Sequence, residues 1–241
     1  MDVHYFNSLE STNKYCKLLD PNSVGEFTVI CARNQTGGIG QKGNSWVSEP
    51  FKNLTFSLIL KPTFLRAEYQ YSLTMALAVA VADAIANLLP SQKISIKWPN
   101  DIYAGDGKIC GILTTVSVSG GYLSHAICGI GVNVNQTVFP ECVPNPTSLS
   151  MHAGRTFVID DVLNLVLRQI QSVYDLLKQS PAIIRDRYMS RLYRLGQQSK
   201  YLYKGETISA TITDITNFGH LVLLGADGAR ISCDLKEIAY L

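Results

Sequence analysis

The apolar positions of this chain follow two periods. From Glu68 to Leu89, Tyr69, Leu73, Leu77, Val81, Ile85 and Leu88 recur at three- and four-residue steps, which places them on one face of a helix and predicts the longest helix in the protein. Asp160 to Leu177 repeats that spacing through Val162, Leu163, Val166, Ile170, Val173 and Leu177, and a shorter helix is expected after Pro181. Lys14 to Leu19 reads as a short helix behind Ser11-Thr12-Asn13, where Ser11 or Thr12 can cap the first turn. Other stretches have a period of two or are apolar throughout. Phe27 to Ala32 is β-branched and predicts a strand, and Asn53 to Leu60 is apolar enough to predict a buried one. Lys93 to Trp98 alternates, with Ile94, Ile96 and Trp98 on one face and Ser95 and Lys97 on the other, until Pro99 stops it. Lys108 to Val118 and Tyr122 to Asn135, joined at Gly120-Gly121, predict a long hairpin.

After Gly196 the texture changes to four or five short strands separated by Lys204-Gly205, Asn217-Phe218-Gly219 and Ala226-Asp227-Gly228, the spacing of a small barrel. The expected architecture is α+β: a mixed β-sheet with helices on one face over residues 1–195, followed by the small β-barrel at 196–241.

Composition narrows the function classes. Hydrophobic residues make up 46% and charged residues 17%, enough apolar surface to build a core, while a net charge of +2 with no basic run gives no support for nucleic-acid binding. The N-terminus lacks a basic region followed by an apolar stretch, and Leu73 to Leu89, interrupted by Asp83 and Asn87, reads as too short and too polar to span a bilayer. Cys16, Cys31, Cys110, Cys128, Cys142 and Cys233 are scattered without a C-x-x-C, as expected of reduced, mostly buried thiols in the cytoplasm. His4, His125, His152 and His220 lack metal-ligand spacing.

The stretch GGIGQKGNSW contains Gly38-x-Gly40-x-x-Gly43, the spacing of a dinucleotide fingerprint. That fingerprint needs a helix directly behind it to hold a pyrophosphate, whereas this loop runs through Asn44 to Pro50 into a strand, and no Gly-Lys-Ser/Thr closes it as a Walker loop. Elsewhere, Gly129, Gly131, Asn133 and Asn135 share one side of a strand whose other side is Ile130, Val132 and Val134. Lys108 and Gly111 stand beside it in the hairpin, and Pro99-Asn100-Asp101 offers an amide and a carboxylate on a stiff turn. A groove of bare backbone, lysines, amides and one acid suits a nucleotide with Mg²⁺ and a substrate anion beside it.

The order Ser11-Thr12-Asn13, Gln35-Thr36-Gly37-Gly38-x-Gly40-x-x-Gly43-x-x-Trp46, Lys97-Trp98-Pro99-Asn100-Asp101, Lys108-x-x-Gly111-Ile112-Leu113 and Gly129-Ile130-Gly131-Val132-Asn133 resembles the biotin protein ligases over essentially the whole chain. The resemblance implies a catalytic domain at 1–195 and an SH3-like barrel at 196–241. It implies ATP and biotin as substrates, Mg²⁺, biotinyl-adenylate as intermediate, and a lysine of a biotin carboxyl carrier protein as acceptor. It assigns Lys108 as the main electrostatic catalyst, in contact with biotin as well. Ser11, Thr12, Asn13, Gln35, Gly38, Ile39, Gly40, Gln41, Gly111 and Gly129 fall on the biotin side. Lys42, Asn44, Trp46, Lys97, Asn100, Gly131 and Asn133 fall on the ATP side, and Asp101 is assigned to Mg²⁺. The glycine loop becomes a lid that excludes water from a hydrolysable adenylate.

Two departures stand out. Where family loops carry Gly-Arg-Gly this chain has Ile39, and Gln41 replaces an arginine found in many members, so a weaker hold on the adenylate is expected. The pattern also begins within the first dozen residues, which implies a short form without the DNA-binding domain of some relatives, acting as monomer or homodimer away from nucleic acid and membrane. The alternatives are a lipoate or octanoate ligase of related fold, whose Arg-Arg and Gly-Gly-Gly signature is missing here, and a catalytically impaired biotin-binding regulator.

Overall fold

The computed structural model describes the backbone of all 241 residues and every side chain except that of Lys42. Seven strands form the first sheet: β1 (Asp2–Phe6), β2 (Thr28–Ala32), β3 (Leu54–Leu60), β4 (Ile94–Lys97), β5 (Asp101–Ala104), β6 (Gly107–Ser119) and β7 (Tyr122–Val132). Their order is β1-β2-β3-β7-β6-β5-β4, with β1 and β2 parallel and every other neighbouring pair antiparallel. The interior strand β3 is buried along its whole length because both of its faces are covered. Leu54, Phe56, Leu58 and Leu60 join the main core, and Ile59 joins a smaller cluster with Cys16, Ile30 and Ile127.

Three helices cover the first face: α2 (Tyr71–Leu88), α4 (Ile159–Gln179) and α5 (Pro181–Ser190). The expectation of helices on one face holds for these, but α1 (Thr12–Leu18) lies against β2, β3 and β7 over the second cluster, on the other face. A further short helix, α3 (Leu149–Ala153), is capped by Ser148. The span Ala67–Leu88 is, by length and apolarity, sufficient to cross a membrane, contrary to the sequence reading. Its apolarity serves the core instead: Leu73, Val79, Val81 and Ile85 are completely buried against the sheet and the neighbouring helices.

The C-terminal strands β8 (Gln198–Tyr203), β9 (Glu206–Ile215), β10 (Leu221–Gly225), β11 (Arg230–Cys233) and β12 (Ile238–Tyr240) form an antiparallel sheet in the order β11-β10-β9-β8-β12. These are the strands of the expected barrel, although edges β11 and β12 do not pair with each other. The change of texture at 195/196 does not separate two cores. Tyr201, Ile212, Leu221 and Leu223 belong to the same cluster as the helices and first sheet. The Trp98 indole N–H also donates to the Gly219 carbonyl at 2.8 Å across the junction.

Candidate functional site

On the α1 side of the first sheet, three glycines leave a trough. Gly111 and Gly131 pair across β6 and β7, and Gly129 lies two residues along. A cavity of about 380 Å³ opens there, walled by the start of α1, the glycine loop, the segment from Lys97 to Asp101, and the last residues of the C-terminal sheet.

One end is polar and neutral. Ser11 caps α1, accepting from the Lys14 N–H at 3.4 Å, so the chain turns with Thr12 and Asn13 pointing to the sheet. Gln35 Oε1 accepts from the Thr12 N–H at 2.8 Å and from the Thr12 hydroxyl at 3.1 Å. Asn13 is 3% exposed, yet neither its amide oxygen nor its nitrogen has a partner. Gly129 makes room for it, since a Cβ at that position would lie 3.2 Å from Asn13 Nδ2. A buried amide with both hydrogen-bonding functions free is costly unless a ligand completes it.

The other end is charged. A register shift between Ile102 and Tyr103 re-aims β6 so that Lys108 Nζ meets Asp101 Oδ1 at 2.7 Å, both side chains 26% exposed. The Lys108 backbone is fixed on both sides, its N–H donating to Asn145 O and its carbonyl accepting from Thr147 N. Lys97 donates to the Tyr103 hydroxyl at 3.1 Å and lies 4.7 Å from the centre of the Tyr240 ring. Burial holds the Lys97 ammonium below the ordinary lysine value, opposed by Asp101 and reinforced by Lys108 and Arg194. The turn carrying Asp101 is rigidly held: the hydroxyls of Tyr188 and Tyr71 donate to Pro99 O at 2.8 and 3.2 Å, and the buried Asn100 amide donates to Ile112 O.

The glycine loop folds over the trough. Gly40 N–H donates to Asn44 O at 2.7 Å, Trp46 N–H donates to Gly38 O at 3.0 Å, and a single 3₁₀ turn at Gln41–Gly43 forms the tip. Gly43, at φ +83°, takes the left-handed backbone that a side chain would resist. The Trp46 indole lies on the paired glycines: a Cβ on Gly131 would fall 2.4 Å from its Cε2, and one on Gly111 3.1 Å from its Cζ3. Its ring centre is 5.9 Å from Lys108 Nζ.

Such a cavity can seat a polar head at one end and bring anions together at the other. A family model described as the Biotin/lipoate A/B protein ligase family matches residues 5–133. The chain belongs to this family. It is 37% identical over 166 residues to the Bifunctional ligase/repressor BirA of Bacillus subtilis, which covers 66% of this chain but only 50% of that protein. The chain thus spans half the length of that relative. It is 31% identical over 231 residues to the Biotin--[acetyl-CoA-carboxylase] ligase of Paracoccus denitrificans, covering 92% of this chain and 94% of that protein. The structure of the Aquifex aeolicus biotin protein ligase in complex with biotin and ATP superposes with a TM-score of 0.82 at 26% identity, covering 99% of this chain and 97% of that one.

Within this biotin/lipoate ligase fold, most residues singled out from the sequence converge on one cavity. Ser11, Thr12, Asn13, Gln35, Ile39, Gly40, Gln41, Asn44, Trp46, Lys97, Asn100, Asp101, Lys108, Gly111, Gly129 and Gly131 all line it. Gly38 does not; it serves the loop's own hydrogen bonds, and a Cβ there would lie 2.4 Å from Trp46 O. Asn133 lines a second cavity of about 390 Å³, which shares Trp46 and Lys108 with the first. Its amide nitrogen is already committed to Thr147 O at 2.9 Å. The Lys42 side chain lies outside the described residues. Asp101 is the one carboxylate lining the first cavity, and among the described residues no cluster of three His, Cys, Asp or Glu side chains could cage a metal.

Sequence reasoning missed two contributors. Ser57, fully buried on β3, lies 2.9 Å from the Thr12 hydroxyl. Leu235, Ile238, Ala239 and Tyr240 bring the C-terminal sheet to the cavity wall. Ser57 carried a faint signal, as a polar residue inside an otherwise apolar strand; the C-terminal contribution is tertiary and carried none.

Proposed function

We propose that this protein is an ATP-dependent biotin protein ligase that activates biotin as biotinyl-5′-AMP and transfers it to a lysine of a biotin carboxyl carrier protein. The observation that carries the reading is the cavity's polarity: an uncommitted buried amide at Asn13 at one end and the Lys108 and Lys97 ammonium groups around Asp101 at the other. Near full-length similarity to a protein named as such a ligase supports it.

In the first step a carboxylate oxygen of biotin forms a bond to the α-phosphorus of ATP while the bond to the bridging oxygen breaks, releasing pyrophosphate. Two anions must approach, and Lys108 lies between them in this reading and offsets the charge that builds up on the α-phosphate oxygens. Lys97 supplies a second cation from the partly buried wall. The Asn13 and Gln35 amides hold the head of the substrate so that its acid end reaches Lys108. In the second step the carrier's lysine amine attacks the acyl carbon of the mixed anhydride, and AMP leaves with the electron pair of the broken C–O bond. The glycine loop, pinned by Trp46, keeps water from that carbon until the carrier arrives. Asp101 would hold Mg²⁺ as a single carboxylate ligand, and the ion would supply further charge neutralisation there.

The test is pyrophosphate release and labelling of a biotin carrier domain with ATP, Mg²⁺ and biotin. Release should require biotin and should not occur with lipoate, and Lys108→Ala should lower the rate on the order of a hundredfold or more. Release driven by lipoate, or full activity in Lys108→Ala, overturns the reading.

A further inference from the structure

The head of the cavity is wired by a chain of hydroxyls whose proton directions follow from geometry. A backbone N–H can only donate, so the Gln35 atom 2.8 Å from Thr12 N is the amide oxygen, and Gln35 Nε2 is left as the group free for a ligand. The Thr12 hydroxyl donates its one proton to that same oxygen at 3.1 Å. Its contact with Ser57 Oγ at 2.9 Å is then attractive only if Ser57 is the donor. Beside Ser57, the buried Cys16 thiol is pushed up to about 12 by burial, so it is protonated and does not draw the Ser57 proton away as a thiolate would. Every donor in the chain points toward Gln35 Oε1, and each polarises the next.

Resting on the proposed biotin-ligase function, we infer that Ser57 is a positioning residue for the substrate's head group. Its hydroxyl orients the Thr12 hydroxyl, which with the Thr12 N–H fixes the Gln35 amide by its oxygen and leaves its NH₂ as the free group. This end therefore selects a head group that offers a hydrogen-bond acceptor, such as a cyclic urea, over a sulfur ring that offers only weak ones. Ser57 is fully buried and pairs with Gly129, the glycine that faces Asn13, so its effect belongs to vitamin binding and not to nucleotide binding.

The experiment is titration of the full-length protein with biotin and, separately, with ATP, for wild type, Ser57→Ala, Thr12→Val and the double variant, with steady-state kinetics alongside. One neutral hydrogen bond corresponds to roughly two- to tenfold in affinity. Ser57→Ala should raise Kd and KM for biotin by that factor, leave KM for ATP and kcat within about twofold, and add nothing further in the Thr12→Val background. Unchanged biotin affinity, equal losses for biotin and ATP, or additive effects in the double variant overturn the role. If Ser57→Ala fails to fold, Ser57→Cys carries the test, since a thiol is a weak donor of similar size; its biotin affinity should still fall at constant ATP affinity. Wild type that binds ATP and not biotin overturns the proposed function, and this role with it.

Discussion

Gly131→Ala is the sharpest steric test of the site. Gly131 lies where β7 passes beneath the glycine loop, and a methyl group there would lie 2.4, 2.6 and 2.7 Å from three atoms of the Trp46 indole. These distances lie far inside van der Waals contact, and the strand beneath is paired on both sides, to Thr55 and to Gly111, so it cannot retreat. The indole must therefore lift. Overpacking of this kind costs roughly 1–3 kcal/mol, which is about five- to 150-fold in any equilibrium that needs the loop closed. Pyrophosphate release should show a raised KM for ATP and a faster escape of the activated intermediate, with Tm nearly unchanged because the loop lies outside the main core. The chain has two tryptophans and Trp98 is buried, so increased quenching of fluorescence by acrylamide would report Trp46 directly. Gly111→Ala, whose nearest indole atom is 3.1 Å away, should have a smaller effect, and Gly25→Ala, with nothing nearer than 3.8 Å, none. If Gly131→Ala binds ATP and is quenched as wild type, the indole is not seated on these strands and the account of the lid fails.

Three more outcomes are expected. Ile39 lines the cavity where related loops carry arginine, so Ile39→Arg should restore a charged hydrogen bond and slow release of the activated intermediate about ten- to hundredfold in a single-turnover assay; unchanged release refutes the deficit. Lys97 has a folded pKa below its ordinary 10.5, so the unfolded chain binds more protons between the two values and this residue's contribution to stability rises with pH through that window. The cavity loses a cation as pH rises through the same window, so ATP affinity should fall as pH climbs toward 10.5, and Lys97→Arg should remove that limb of the profile. Trp98→Phe leaves the Gly219 carbonyl without its donor and should cost about 1–3 kcal/mol, seen as a lower Tm of the full chain; an unchanged Tm would show that this bond does not tie the two sheets.

Periodicity outlined the long elements because each buries a regular face: α2 and α4 by their three- and four-residue spacing, and β6 and β7 by the glycine turn between them. It failed where burial is not periodic. The strand β1 is an edge whose residues are mostly exposed, so no alternation marks it. Four-residue β5 directly follows the turn that dominated its reading, and its role depends on a register shift that only pairing reveals. At the site, the lysines and glycines of the strands were legible because they interrupt apolar runs, whereas Asn13 was singled out only by the resemblance of Ser11-Thr12-Asn13 to the family pattern. The partners that orient them were not. Ser57 acts through Thr12, and Tyr71 and Tyr188 reach Pro99 O from helices far away in sequence.

Charge explains why the C-terminal sheet belongs to the site even though its composition marks it as separate. Among the described side chains, the cavity lining carries Lys97 and Lys108 against Asp101, a single net positive charge, while a carboxylate and a triphosphate together bring several negative ones. The protein can make its small surplus effective only by limiting water around it, since the same charges interact several times more strongly at an effective dielectric near 20 than in bulk water. The Tyr240 ring, from the last strand, covers Lys97 and contributes to that exclusion, and Trp98 and Gly219 hold the two sheets in register while it does so. The cost is visible in Lys97, whose ammonium is held below its ordinary pKa by the burial that strengthens its field. A nucleotide entering with its own divalent cation would supply the charge that the side chains do not, which is consistent with a site that offers that ion only one carboxylate.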